Sequence, residues 1–293
     1  MLETLHIPEQ YDGFIFLAEA VRNPPILQPH RHVELEVNLV VDGEITYIID
    51  GKRYVFKKGS LLWFFPEQKH QLIDRSKDAA YYVAVFTPMM ISECCKGERY
   101  AELKNDSLSY CDTLYTQLAP AEFNRLRSSM DRLATEGIDA DELNRESGFG
   151  QSKHFRFSHP DPDWLNAGLR NILLSSWRFQ QGQETGKANP TMHHIVRRAI
   201  EQLNQQDDDS DLSTLAKSIG VSTSYLSRLF LEETGLTMTR FRNNQRLRRF
   251  WENYQGQRET TLLGAALDAG FGSHAQFYRV YREAYGEGPR KTL

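Results

Sequence analysis

The stretch "LAKSIGVSTSYLSRLFLEETG", Leu215 to Gly235, decides the architecture of this chain, because it occurs twice. Its second version is "AALDAGFGSHAQFYRVYREAYG", Ala265 to Gly286. Ala216, Gly220 and Val221 fall on Ala266, Gly270 and Phe271 at an offset of 50 residues. One inserted residue later, Leu226, Arg228, Phe230 and Gly235 fall on Phe277, Arg279, Tyr281 and Gly286 at an offset of 51. Each version describes a short helix, a glycine that permits a sharp turn, and a second helix with apolar residues on one side and polar ones on the other. That object is a helix-turn-helix. The polar face of its second helix carries Thr223, Ser224, Ser227 and Arg228 in the first unit, and His274, Gln276 and Arg279 in the second. One such unit is equally an ordinary bundle with a solvated face; two with arginine at the matching place point to DNA.

Between the units, "MTRFRNNQRLRRFWENY" predicts a helix with Met238, Phe241, Leu247 and Trp251 inward and Arg240, Arg242, Arg246, Arg248 and Arg249 around it. Such a helix can hold the two second helices about 34 Å apart, one duplex turn, in successive major grooves. Its arginines are expected to serve phosphates, which position a protein without reading sequence. Charge is consistent with this but does not compel it. Residues 191–293 hold 14 Lys+Arg against 12 Asp+Glu, and residues 1–190 hold 21 against 27. The polar segment "GQETGKANP", Gly182 to Pro190, reads as the linker between the two halves.

The N-terminal half has a different texture. From Phe14 to Phe86 it runs as short alternating or apolar segments cut by Asp42-Gly43, Asp50-Gly51, Lys58-Gly59 and Pro66, the pattern of an antiparallel barrel or sandwich. Within it, "HRHVELEVNLVVDG" (His30 to Gly43) sets His30, His32, Glu34, Glu36 and Asn38 on one face of an extended strand and Val33, Leu35, Val37, Leu39 and Val41 on the other. If the polar face points inward it lines a pocket for a polar small molecule; if outward, the histidines are surface residues. Imidazoles with a carboxylate also suit Fe, Mn, Ni or Zn. Of these readings the polar-ligand pocket is the expectation, with no resident metal and no cofactor. Helical periods follow: "PAEFNRLRSSMDRLATE" begins on Pro120, suited to a first turn, and "DPDWLNAGLRNILLSSWRFQQ" sets Trp164, Leu165, Leu169, Ile172, Leu173 and Trp177 near one face, which needs the barrel or another copy of the chain as partner.

Several classes are excluded or disfavoured. The start "MLETLHIPEQ" has no basic and apolar leader and no window approaches the ~18 apolar residues of a membrane span, so a cytoplasmic protein is expected. Cys94, Cys95 and Cys111 form no C-x-x-C pair and read as reduced structural thiols. His193-His194 reads as a solvated or capping pair and "DDDSD" (Asp207 to Asp211) as a capping loop. No phosphate-binding glycine loop, G-x-S-x-G or H-E-x-x-H is present, and no catalytic residue is assigned.

On these motifs, residues 191–293 resemble the DNA-binding domain of the AraC/XylS family of bacterial transcription regulators. The resemblance implies that Thr223, Ser224, Ser227 and Arg228 face DNA from the first recognition helix and His274, Ala275, Gln276 and Arg279 from the second. His30-x-His32-x3-Glu36-x6-Gly43, with the looser "GSLLWFFPEQKH" ending on His70, resembles the cupin superfamily, and the whole sensor half is similar to that of AraC-type regulators of the melibiose-operon activator group. The implied fold class is α+β: a cupin-like antiparallel β-barrel (1–115), a helical dimerisation segment and linker (116–185), and an all-α domain with two helix-turn-helix units (186–293). The implied effector pocket is His30, His32, Glu36, Asn38 and His70. The implied partners are a double-stranded DNA operator, a small polar effector such as a sugar or related metabolite, RNA polymerase and a second copy of the chain. The rivals are a cupin-type metal enzyme and a DNA-binding protein whose barrel only dimerises. The chain departs from the family pattern at Phe250, where a small residue is usual, at the C-terminal "GPRKTL", and at Glu67-Gln68, where a glycine is usual.

Overall fold

The computed structural model describes residue 5 and residues 7–20, 23–104, 113–137, 159–181, 189–205, 211–254 and 261–289. The N-terminal half forms two facing antiparallel sheets. The first has the order β1-β7-β2-β5-β8, from β1 (Gly13–Glu19), β2 (Leu35–Asp42), β5 (Ser60–Phe64), β7 (Ala80–Phe86) and β8 (Leu114–Gln117). The second is β4-β3-β6, from β3 (Glu44–Ile49), β4 (Lys52–Lys57) and β6 (His70–Arg75). The turn signals fall where expected. Asp50 and Gly51 join β3 to β4 with φ of 48° and 77°, the two positive values a type I′ hairpin requires. The barrel runs past the expected boundary at residue 115, because β8 pairs with β5 through Gln117.

Helix α1 (Pro88–Cys94) follows β7, capped by the Thr87 hydroxyl. Helix α2 (Pro120–Gly137) does begin on Pro120. It pairs with α3 (Pro162–Gln181), whose Leu165, Leu169, Ile172, Leu173 and Trp177 are buried. The partner of that apolar stripe is the outer surface of the first sheet. Trp177 meets Trp63 edge-on at 5.1 Å, and the Trp63 indole donates to Gln180 Oε1 at 3.2 Å. Both helices and the barrel therefore share one core.

Residues 182–188 of the expected linker lie outside the described residues, and after them come α4 (His194–Gln205), α5 (Leu212–Ile219), α6 (Thr223–Thr234), α7 (Met238–Asn253), α8 (Leu262–Asp268) and α9 (His274–Tyr285). They hold two separate cores. The first joins Val196, Leu215, Leu226, Phe230, Met238 and Phe241. The second joins Leu247, Phe250, Ala266, Phe271, Phe277 and Tyr281. Phe250 lies fully buried at the centre of the second core, with its ring 4.6 Å from that of Phe277 and 5.3 Å from that of Tyr254. The large residue fills space between α7 and α9 rather than disturbing the linking helix.

The barrel contributes to the first of these cores. Ile26 and Ile73, both fully buried, pack in it beside Val196 and Phe241. Met192 donates its N–H to Gly51 O at 2.9 Å, so the chain entering the helical domain starts on the β3–β4 hairpin.

Candidate functional site

The pattern at His30 to Asn38 resolves into a site through three elements. Strand β2 begins only at Leu35, so Glu36 and Asn38 belong to it and the two histidines precede it in the entering segment. This corrects the expectation of one continuous strand face. His30 is instead brought in by a backbone bridge to His70 at the start of β6. The two faces of β2 separate cleanly. Val37 pairs with Trp63, on the side covered by α3, while Glu36 pairs with Phe64, whose ring stacks on His70 at 4.3 Å between the sheets. The polar side thus points inward.

The result is a buried constellation of His30, His32, Glu36 and His70, with one ligand atom from each lying within 4.8 Å of all the others. His32 Nε2 lies 3.1 Å from Glu36 Oε2, and His70 Nε2 lies 3.8 Å from it. Each histidine Nδ1 faces a backbone carbonyl: His30 that of Gln28 at 2.8 Å, His32 that of Glu34 at 3.0 Å, His70 that of Gln68 at 2.9 Å. A carbonyl only accepts, so these Nδ1 atoms carry the protons. In neutral His30 and His70 rings the Nε2 atoms then present lone pairs, while His32 Nε2 lies against Glu36 Oε2.

The electrostatics agree. Burial pushes His30 below its usual range against the pull of the Gln28 carbonyl, and pushes His70 well below it, so these two rings are neutral ligands at neutral pH. Burial alone would raise the Glu36 carboxyl, but the His32 hydrogen bond and the neighbouring histidines hold it at about 2. A neutral His32 would set its Nε2 lone pair against a carboxylate oxygen, which is repulsive unless a proton or a cation lies between them. The buried His70 Nε2 has no hydrogen-bond partner. Three imidazole nitrogens and one carboxylate fit a divalent transition metal. Ligands at ~2.1 Å from one ion lie about 3.4 Å apart in a tetrahedron and at most about 4.2 Å apart when opposite, so closing the set draws the outermost atoms together by roughly 0.6–1.4 Å.

Asn38, the remaining pocket candidate, is fully buried on the same side of β2. Its two amide atoms make no hydrogen bond of good geometry, although the Tyr47 hydroxyl lies near. Tyr47, Phe64 and Tyr81 complete this interior and were not legible as pocket residues. "SLLWFF" is apolar without alternation, and which of its aromatics faces inward is set by pairing to β2. The three carbonyls that orient the histidines leave no mark on side-chain identity.

In the helical domain every residue expected at DNA lies on the outer surface of its recognition helix. Ser224, Arg228, His274, Ala275 and Arg279 are exposed, and Thr223, Ser227 and Gln276 are half-exposed. Ser222 caps α6 and Ser273 caps α9, each hydroxyl accepting a first-turn N–H. The Arg228 guanidinium sits over the Tyr225 ring at 5.8 Å. Gln276 Oε1 accepts from Gly272 N at 2.9 Å, which leaves its amide nitrogen to face outward.

The linking helix departs from expectation. Of its five arginines only Arg240 is exposed, and it pairs with Asp74 of β6 at 2.8 Å. Arg248 is buried, hydrogen-bonded to Gln245 and paired with Glu252; Arg242, Arg246 and Arg249 are half-buried. Arg242, Arg246 and Arg249 fall at i, i+4 and i+7, so they share one partly exposed face of the helix, while Arg248 is turned away from it.

The minor expectations also meet the structure. His193 Nδ1 accepts from Ile195 N at 3.2 Å and Asp211 caps α5, as capping groups do. Cys94 and Cys95 are free thiols with Sγ atoms 3.6 Å apart. Cys111, the rest of the acidic loop from Asp207 to Ser210, and the last four residues, 290–293, lie outside the described residues. Among the described residues no helix is long and apolar enough to cross a membrane.

Comparison with known proteins agrees with both halves. Residues 22–86 match the family model described as a cupin domain, and residues 215–293 match one described as a helix-turn-helix domain. Together the two matches support an AraC-type DNA-binding transcription regulator with a cupin domain in its N-terminal half. Among particular proteins it is similar to the melibiose operon regulatory protein of Escherichia coli strain K12, at 21% identity over 271 residues, 89% of this chain and 82% of that one. The protein of the same name from Escherichia coli O6:H1 matches equally. Of solved structures, fatty-acid-bound ToxT from Vibrio cholerae aligns over 97% of this chain and 96% of its own, at 9% identity and a TM-score of 0.37. The AraC-like transcriptional activator CuxR aligns over 84% and 79%, at 12% identity and a TM-score of 0.32.

Proposed function

We propose that this protein is an effector-responsive regulator whose barrel interior, at His30, His32, Glu36, Asn38 and His70, binds a small polar molecule around a divalent transition metal. The observation that carries this reading is the convergence of three carbonyl-oriented histidines on Glu36. Such a metal would supply a Lewis-acidic anchor for an oxygen donor of the effector. The chain's own residues do the rest: Gln28, Glu34 and Gln68 carbonyls hold the rings, Glu36 balances charge, and Asn38 offers an amide donor and acceptor to the effector. Hydroxyl-rich or carboxylate-bearing metabolites, sugars among them, match that set. The geometry thus favours a metal that the sequence did not lead us to expect.

In the same reading Thr223, Ser224, Ser227 and Arg228 with His274, Ala275, Gln276 and Arg279 face a double-stranded operator. Residues 1–115 with β8 are the sensor, 116–185 the helical segment through which two copies associate in the cytoplasm, and 186–293 the DNA-binding domain. Contact with RNA polymerase belongs to the family resemblance. Sensing rather than turnover is the barrel's role, because the tandem DNA-reading pair gives occupancy of the pocket something to control.

Metal titration by calorimetry, on protein purified without chelators or a histidine tag and then stripped, tests the pocket. Wild type is expected to bind one Zn²⁺ or Ni²⁺ per chain, with loss of roughly 10- to 100-fold or more in affinity in His32→Ala. Equal affinity in the two proteins, or none in wild type, would sink the metal reading.

A further inference from the structure

The strand that presents His70 to the pocket also touches both DNA-reading units, the first through its outer side and the second through Arg75 at its end. At the first unit, Gln71 exchanges two hydrogen bonds with Asn204 of α4, at 3.1 and 3.2 Å, and Ile73 is buried in the first core. Asp74 pairs with Arg240 of α7. At the second unit, Arg75 places its guanidinium over the ring of Tyr285, 5.8 Å from the centroid. Tyr285 is the last residue of α9, the second recognition helix.

Arg75 is built to hold that place. Its side chain is buried, with Nη2 donating to Ala20 O at 2.6 Å and to Asn23 O, and Nη1 donating to Glu19 O at 3.4 Å. Three carbonyls fix the fork to the barrel and leave its face for the ring. A cation also suits the C-terminal end of α9, where the helix dipole is negative. The far side of Tyr285 is tied too: its hydroxyl accepts from the Trp251 indole at 2.7 Å.

This contact matters because of how the two units are joined. Their cores are separate, and α7 contributes Met238 and Phe241 to one and Leu247 and Phe250 to the other. Two bodies on one helix can swing as that helix bends between residues 241 and 247. Adding β6 as a second tie, to α4 and α7 at one end and α9 at the other, makes a triangle. A triangle does not swing.

We propose that Arg75, a buried barrel residue, is a positioning residue for DNA reading: by anchoring α9 to the strand that also holds the first unit, it sets the distance and angle between the two recognition helices. Its consequence is specificity for half-site spacing. One added base pair moves the second half-site by about 3.4 Å and a tenth of a turn. A rigid pair rejects that displacement and a hinged pair absorbs it. The inference rests on assigning α6 and α9 as the DNA-reading helices.

Selection from a random-sequence duplex pool by the full-length protein tests it. Wild type is expected to recover two half-sites at a single spacing, with a one-base-pair change costing about tenfold in affinity. Arg75→Ala should recover the same half-site sequences at mixed spacings, the penalty falling to about threefold or less. Arg75→Lys, which keeps the charge over the ring but not the three-carbonyl fork, should fall between them. A purely structural loss would weaken all duplexes alike and leave spacing unchanged; that result overturns the proposal, as does a single retained spacing in Arg75→Ala.

A second measurement needs no DNA, and so separates failure of this inference from failure of the recognition-helix assignment. Spin labels at Ser224→Cys and Ala275→Cys, in a chain with the three native cysteines replaced by serine, report the distance between α6 and α9. A single narrow distance that broadens in both Arg75→Ala and Tyr285→Leu is expected. The same narrow distribution in all three proteins, or a broad one before either substitution, refutes the proposal.

Discussion

Arg228 and Arg279 occupy matching places on the two recognition helices, and both are exposed, but their surroundings differ. Arg228 is braced over Tyr225, whereas the ring near the start of α9 is that of Tyr278, 6.2 Å from His274. Each guanidinium is long enough to bridge guanine O6 and N7, a pairing worth about 1–3 kcal/mol of discrimination. Arg228→Ala and Arg279→Ala are therefore each expected to weaken binding to the native operator by roughly 5- to 150-fold while leaving binding to unrelated DNA within a few-fold. Fluorescence anisotropy on the two duplexes measures this. Equal losses on both duplexes would reassign the arginines to phosphates. The repeat made these two residues visible in the sequence, since identity at one offset selects them from the 35 Lys and Arg of the chain. Arg75 carried no such sign, because the carbonyls and the ring that it meets come from distant parts of the chain.

At the level of elements, α7 shows how an arginine-rich helix can be misread. Periodicity placed Met238, Phe241 and Leu247 inward, and all three are buried. It could not show that Arg240 pairs with Asp74 of the barrel or that Arg248 is buried. Phe250 illustrates the opposite case, a departure from the family pattern that the packing uses. Truncating a buried phenylalanine costs about 3–5 kcal/mol. Because Phe250 lies in the second core alone, Phe250→Ala should loosen α8 and α9 while α5 and α6 keep their protection. Hydrogen exchange resolved by segment checks this, and uniform deprotection across both units would show that the two cores unfold as one. Strand β6 is the element of most consequence. Alternation along "HQLIDR" sends His70 and Leu72 inward and Gln71 and Ile73 outward, and the bulge between Leu72 and Asp74 keeps Asp74 on the outer side as well. One strand thereby borders the pocket and both DNA-reading units.

Across the whole molecule, the barrel and the helical domain are not separate beads on a linker. Ile26 and Ile73 complete the first core, and burying one isoleucine contributes about 1.5–3 kcal/mol. An excised 186–293 fragment leaves that surface open to water. We expect its α4 and α5 to exchange amide hydrogens at least about tenfold faster than in the full chain, and its DNA binding to be indifferent to the Zn²⁺ or effector that acts on the full chain. Matching protection in fragment and full chain would mean that the docked arrangement adds no stability. A ligand in the pocket shifts the balance of docked and undocked arrangements only by its difference in affinity for the two. The docking contacts on β6 are where such a difference can arise.

Sequence alone determined the parts of this protein whose information is local or repeated. The paired helix-turn-helix units follow from a recurrence about 50 residues apart, the hairpins from Asp-Gly and Lys-Gly punctuation, and His30 and His32 as candidates from their spacing before Glu36. Tertiary structure decided what depends on which surfaces meet. It turned the polar side of β2 inward by laying α3 over the other side, and brought His70 to His30 by a bridge between residues 40 positions apart. It also drew Arg240 of the linking helix to the barrel and buried Arg248. Side-chain period reports which residues share a face; only the packing of that face against another element settles what the face is for.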